Sequence, residues 1–345
     1  MHLRIAADAA VRGFAAFALA LAAFTAQAQP VELKLSYYVG DQHAMSQWLI
    51  RWSEALEKRS NGQIVVKRFP GAQLGTAQQH FDLARTGRAD VAWFFHGGTP
   101  GRFPLTELIN LPYMVGSANA GTRVLNDPEL RQKYLDPEHK GVKVLVLFTH
   151  PPGQVHTVKK PIRTLADFKG QRVRFPSPPV RDFLEALGAT PVGVAPTEMV
   201  EQLQKGAIDG VMIDYGGAGI AFRMGGVVKH TTELNAYVTS FGLAMNEEVW
   251  NKLGPELQKV VADATAAMLP EIGPAWDGID AAGKKALIDG GMQVSRLAAE
   301  DDARARRLGA DVAESRLAEL EAKGLPARQV HRMMKSVADR RGAAN

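Results

Sequence analysis

The chain has 345 residues, no cysteine, and 41 basic against 36 acidic side chains, a formal net charge of +5. The lack of thiols excludes disulfides and thiolate metal sites, and the mild charge, with no concentrated basic stripe, argues against a nucleic-acid partner. A chain of this length suits two domains whose cores are large enough to need no staples.

Arg4 and Arg12 supply a basic start, residues 11–24 are almost wholly apolar, and Ala26-Gln27-Ala28 offers small side chains at the −3 and −1 positions of a signal-peptidase site. Residues 1–28 therefore read as an export signal cleaved after Ala28, since the apolar run is shorter than the ~20 residues of a spanning helix. No later segment reads as a membrane span, so a soluble periplasmic protein is expected.

Strand and helix signals then alternate. Strands are expected at 31–39, 64–69, 90–95 and 141–149, with helices at 46–60, stopped by Asn61-Gly62, and at 76–86, stopped by Gly87. A second cycle follows Pro151-Pro152. It has a short strand at 172–175, a helix capped by Ser177 and opened by Pro178 and Pro179, and a strand at 190–194. A helix at 197–205, strands at 209–214 and 237–245, and a helix-rich region from 247 to 290 come next. Pro270 and Pro274 are expected to break or kink that region. A last strand at 292–297 and a charged helical tail from 301 complete the pattern. The segments Leu83 to Asp90 and Leu203 to Asp209 are alike, each a helix end, a glycine turn and an aspartate that opens an apolar strand, which suggests two similar α/β units. In open α/β sheets ligands sit beyond the carboxyl ends of strands, which directs attention to the residues after Phe95 and around Asp214.

No enzyme motif is present: there is no nucleophile elbow, zinc-protease helix, Walker loop or dinucleotide fingerprint. The nine histidines show no ligand-like spacing, and neither a metal nor a cofactor is expected. What remains is recognition chemistry. His96 and Gly97 open a loop whose backbone amides either receive a carboxylate or form a plain turn. Arg172 and Arg174 share one strand face, and Arg174, close to the proline-rich helix start, suits bidentate carboxylate binding, with a structural salt bridge as its other role. Arg102 reads as a rim or structural residue. Aromatic side chains collect near strand ends: Tyr37, Tyr38, Trp93, Phe94, Phe175, Tyr215 and Phe241, of which strand alternation lets about half face a ligand.

Four segments in combination resemble the solute receptors of TRAP transporters, the DctP family: GQRVRFPSPPVRDFLEALGATPVGVAPTEMVEQLQKGAIDG at 170–210, RSNGQIVVKRFPGAQLGTAQQHFDLARTGRADVA at 59–92, LPYMV at 111–115 and TSFGLAMNEEVWNKL at 239–253. The resemblance spans about residues 31–290. It implies an α/β fold of the type II periplasmic binding-protein kind: two mixed-sheet domains around a cleft, a long domain-spanning helix and a helical C-terminal tail. The domains expected are 31–150 with 240–278, and 151–239 with 279–300, followed by the tail at 301–345. It also implies that the arginine of the G-x-x-[VI]-R-[VF]-P motif, here Arg174, binds a ligand carboxylate. Where many members read D-G-x-E-N-P, this chain reads Asp209-Gly210-Val211-Met212-Ile213-Asp214, so the dicarboxylate and sialic-acid ligands of better-known members do not carry over.

The expected site comprises Arg174, Tyr215, Asp214, His96, Gly97, Trp93, Phe94, Tyr38, Phe175 and Phe241. The aromatic side chains, with an acidic Asp214 beside them, favour an aromatic or branched monocarboxylate over a small dianion. The resemblance makes the integral subunits of a TRAP transporter the partners of a monomeric receptor, with uptake driven by an ion gradient. Two other readings stand beside it: a sensor subunit presenting ligand to a signalling kinase, and a periplasmic hydrolase on the same scaffold.

Overall fold

A computed structural model describes residues 29–340; the export signal read at 1–28 lies outside the described residues. The chain opens with β1 (Val31–Ser36), where Leu33 and Leu35 are buried and Glu32 is exposed, the period-two pattern of a half-covered strand. Helix α1 (Ala44–Arg59) follows and buries Trp48, Leu49, Trp52 and Leu56 at helical spacing. The unit continues with β2 (Ile64–Phe69), the short α2 (His80–Arg85) after a single 3-10 turn, and β3 (Val91–Phe95), whose five residues are all buried. A strand apolar on both faces belongs in the middle of a covered sheet, and β3 lies there. Helix α3 (Ala118–Leu125) and β4 (Val142–Thr149) complete this stretch.

Pro151-Pro152 then carries the chain into a second sheet. It contains β5 (Gln154–Thr157), β6 (Arg172–Phe175), α4 (Pro178–Ala186), β7 (Thr190–Gly193), α5 (Met199–Gln204), β8 (Gly210–Ile213) and β9 (His230–Thr232). The chain returns to the first sheet through β10 (Ser240–Asn246), followed by α6 (Glu247–Lys252), α7 (Gly254–Asp289), the edge strand β11 (Gln293–Ser295), α8 (Ala299–Ala322) and α9 (Ala327–Asp339).

The first sheet has the order β2-β1-β3-β10-β4 and the second β11-β9-β5-β8-β6-β7. Both are mixed. β10 runs antiparallel to β3 and β4, and β5 runs antiparallel to β8 and β9, while β6 is parallel to β7 and β8. The protein is thus two mixed-sheet α/β domains with separate cores.

Helix α7 runs for 36 residues through Pro270 and Pro274 without a break. The expected break does not occur: the helix stays continuous and is docked on α1, where Trp52 Nε1 donates to Thr265 Oγ1 and Trp48 Nε1 to the Met268 carbonyl, both at 3.0 Å. Ser177 stands at the N-cap of α4 but its hydroxyl makes no capping bond. Prolines at the first two helical positions leave few amides to cap, and the Ser177 carbonyl accepts the next two, from Val180 and Arg181, at 3.1 and 3.0 Å. The charged tail is an interdomain strap: Ala305 packs into the second domain's core, whereas Leu317, Leu320, Val330 and Met334 pack into the first.

Candidate ligand-binding site

Alternation along β3 sends Trp93 and Phe95 to one face and Phe94 to the other. Trp93 and Phe95 line a cavity between the two sheets, joined from the first domain by Tyr38 just past β1, Phe241 on β10 and His43 at the start of α1. Helix α7 contributes Trp276, stacked on Phe241 with ring centroids 5.6 Å apart, and His43 meets its edge at 4.8 Å. The second domain supplies Arg174 from β6, Asp214 from the end of β8, and Tyr237 and Thr239 from the returning segment.

Arg174 is 4% exposed. Its Nε donates to the Val194 carbonyl at 3.1 Å and its Nη1 to that of Met212 at 3.4 Å, and it forms no ion pair among the described residues. Burial lowers its pKa to about 10. The salt-bridge role falls instead to Arg172, whose guanidinium grips Asp209 at 2.8 and 2.9 Å at the more open end of the same strand. Asp214 is 3% exposed, and its carboxylate accepts the Gly217 N–H at 2.9 Å. Burial pushes its pKa upward, as it does that of Asp280 on α7, where the Asp214 charge adds to the effect.

The two cavity histidines are neutral, held by burial at about 3 for His43 and about 4 for His150. His43 Nδ1 accepts the Met45 N–H at 3.1 Å, which puts the ring proton on Nε2. His150 Nε2 accepts the Thr239 N–H at 3.1 Å, so its Nδ1 donates to the Pro151 carbonyl. Four further cavity residues carry buried polar atoms with no partner among the described residues: Trp93 Nε1, Trp276 Nε1, the Tyr237 hydroxyl and Thr239 Oγ1. Buried polar groups are almost always hydrogen-bonded, so a concentration of unpartnered donors beside an unpaired guanidinium marks a surface suited to an acceptor-rich anion.

Of the residues expected from sequence, Arg174, Asp214, Tyr38, Trp93 and Phe241 line this cavity. Five others do not. Phe94 points behind the first sheet, against Phe81 and Phe103. His96 turns into the same core, where its Nε2 lies 3.0 Å from that of His139. Gly97 is a contact between the domains: a Cβ there would come within 2.0 Å of the Pro176 carbonyl, so its amide loop meets protein rather than the cavity. Phe175 alternates away from Arg174 and packs in the second domain. Tyr215 alternates away from Asp214, donates to Glu233 Oε1 at 3.1 Å and lies edge-on to His156. Arg102 is bound to Asp82 at 2.8 Å and stacks over Phe81, away from the cavity.

Sequence reasoning missed Phe95, His43, His150, Tyr237, Thr239 and Trp276. Phe95 follows from Trp93 by alternation, and His150 ends a strand before Pro151, so both carried a usable signal. Trp276 sits on a long helix and carried none.

The model of the bacterial extracellular solute-binding protein family 7, DctP, matches residues 35–319. The chain belongs to this family. It is a solute-binding receptor of the TRAP type, and among its described residues no helix is long and apolar enough to cross a membrane. A TRAP solute-binding protein from a marine metagenome, specific for aromatic acid ligands and solved with metahydroxyphenylacetate, superposes with a TM-score of 0.85 at 30% identity, over 90% of this receptor and 99% of its own chain. A TRAP periplasmic protein from Bordetella bronchiseptica with bound (R)- and (S)-mandelate gives 0.82 at 28% identity, over 90% and 99%. The C4-dicarboxylate-binding periplasmic protein DctP of Rhodobacter capsulatus is 25% identical over 74% of this receptor and 78% of its own length.

Proposed function

We propose that this receptor captures an aromatic monocarboxylate between its two domains and delivers it to the integral subunits of a TRAP transporter, without any chemical step. The single observation that carries the reading is Arg174, a buried cation without an ion pair among the described residues, facing a space walled by Tyr38, Trp93, Phe241 and Trp276. The carboxylate docks on the guanidinium as a charge-assisted pair, and the ring lies among the aromatic side chains, where offset and edge contacts add to area burial. Asp214 lines the same cavity and opposes a second carboxylate by like-charge repulsion.

The aromatic acids named for the marine and Bordetella proteins support this chemistry. The protein is exported, its signal cleaved after Ala28, and acts as a monomer in the periplasm. The domain division is that read from sequence, at 31–150 with 240–278 and 151–239 with 279–300.

Calorimetry on the purified mature protein with benzoate, phenylpyruvate and succinate tests the reading. An aromatic acid should bind at least a hundredfold more tightly than succinate. Tight succinate binding with no aromatic binding overturns it.

A further inference from the structure

We propose that Asp214 selects, among aromatic monocarboxylates, those that carry a hydroxyl group, which it receives inside the cavity it shares with Arg174. This rests on the aromatic-acid reading above and deepens it.

The placement of the two charged residues comes from strand register. Arg174 on β6 pairs with Val211 on β8, and Asp214 lies three residues further along. The guanidinium reaches along β8, its Nη1 donating to the Met212 carbonyl at 3.4 Å, so cation and carboxyl border the same part of the cavity. Both line it, both are nearly fully buried, and they form no ion pair with one another among the described residues. One side chain links them: the Tyr38 hydroxyl feels the charges of both Arg174 and Asp214, and the Tyr38 ring lies 5.1 Å from that of Trp93. Guanidinium, carboxyl and indole therefore border one small space.

The polar groups lining the cavity sort what it accepts. Asp214 offers acceptor oxygens, one of them already receiving the Gly217 N–H. The indoles of Trp93 and Trp276 offer N–H donors that no protein group accepts. A second carboxylate satisfies the indoles but is repelled by Asp214. A bare ring leaves both kinds unpaired. An ammonium donates to Asp214 but has no lone pair for an indole N–H. A hydroxyl donates to the carboxyl and accepts from an N–H at once, and it is small and neutral. A site built to hydrogen-bond a hydroxyl discriminates strongly against the analogue lacking it, because its own polar groups are then left buried and unpaired.

The test is calorimetry with two matched pairs, benzoate with 3-hydroxybenzoate and phenylacetate with mandelate, together with 3-methoxybenzoate, on the wild type and on Asp214→Ala and Asp214→Asn. The Asn variant retains an oxygen for the Gly217 amide and covers the case in which the alanine variant does not fold. In the wild type the hydroxylated acid of at least one pair should bind tenfold or more tightly than its parent, and methylating the ring hydroxyl should not improve on benzoate. In Asp214→Ala that ratio should fall to near one, and in Asp214→Asn it should fall at least threefold. Equal binding of parent and hydroxylated acids by the wild type, or a ratio unchanged in a folded variant, overturns the role of Asp214 and leaves the aromatic reading standing. Failure of every aromatic acid to bind the wild type overturns both.

Discussion

Replacing Arg174 by methionine should move stability and affinity in opposite directions. Burial draws the guanidinium pKa from 12.5 to about 10, which at 1.36 kcal/mol per unit makes the charged form about 3 kcal/mol less favourable in the fold than in water. Because the folded pKa is the lower one, that penalty is in force at every pH below about 10, including the whole working range of the protein. Methionine removes it and fills similar volume. Against this, the carbonyls of Val194 and Met212 lose donors at 3.1 and 3.4 Å, each worth about 1 kcal/mol and the longer one less. The unliganded variant should therefore be as stable as the wild type or more stable by about 1–2 kcal/mol. Its affinity for an aromatic acid should fall by about 2–5 kcal/mol, the scale for truncating one side of a buried charged pair. Urea denaturation and calorimetry on the same preparation separate the two. A variant that binds undiminished, or one destabilised by more than ~2 kcal/mol, would refute the assignment, the first by removing Arg174 from the ligand and the second by making it a structural residue.

Three further outcomes are expected. Gly97→Ala places a methyl where the Pro176 carbonyl now sits; it should hold the domains apart and weaken ligand binding tenfold or more while the unliganded protein melts normally, measured by calorimetry and by the ligand-induced change in radius of gyration. Glu107 is buried, its carboxylate oxygens have no hydrogen-bond partner among the described residues, and burial raises its pKa to about 8. Between the ordinary carboxylate range and pH 8 the folded state thus binds more protons at this group than the unfolded chain, so stability should decline as pH rises. Glu107→Gln should remove that share of the slope, adding a few kcal/mol at pH 8 and about nothing at pH 4, as read from denaturation curves at each pH. Trp276→Phe deletes an unpartnered indole N–H but keeps a ring to stack on Phe241; affinity should drop with no loss in melting temperature, and a ligand bound equally well by both proteins would remove the indole from recognition.

The alternating sheet strands and the burial pattern of α1 were legible because both rest on local periodicity that survives into the tertiary structure. β5 and β9 were not, since Gln154–Thr157 and His230–Thr232 are short and polar and become strands only by pairing with each other and with β8. At the site, the strand-end principle located Arg174, Asp214, Trp93 and Phe241, yet it could not choose between neighbours. Trp93 and Phe94, or Asp214 and Tyr215, differ only in which face they take, and that is decided by register against partner strands. His43 escaped because nothing local distinguishes an imidazole that caps a helix from one on the surface. Trp276 escaped because its neighbours Phe241 and His43 are distant in sequence.

The energetics of the cavity also bear on how capture couples to closure. With Gly97 against Pro176 the domains meet beside the site, and in that arrangement, among the described residues, Arg174 has no counter-ion and four donor-bearing side chains have no acceptor. Each is a cost that water would relieve if the domains parted. On the proposed reading a bound carboxylate would supply the missing acceptors only where both walls surround it, so the groups that disfavour the empty closed form would be those that favour the filled one. Differential contact of this kind is what a ligand needs to shift a conformational equilibrium. Substituting a charge-neutral wall would give a more stable protein whose closure no longer reports that an anion is inside.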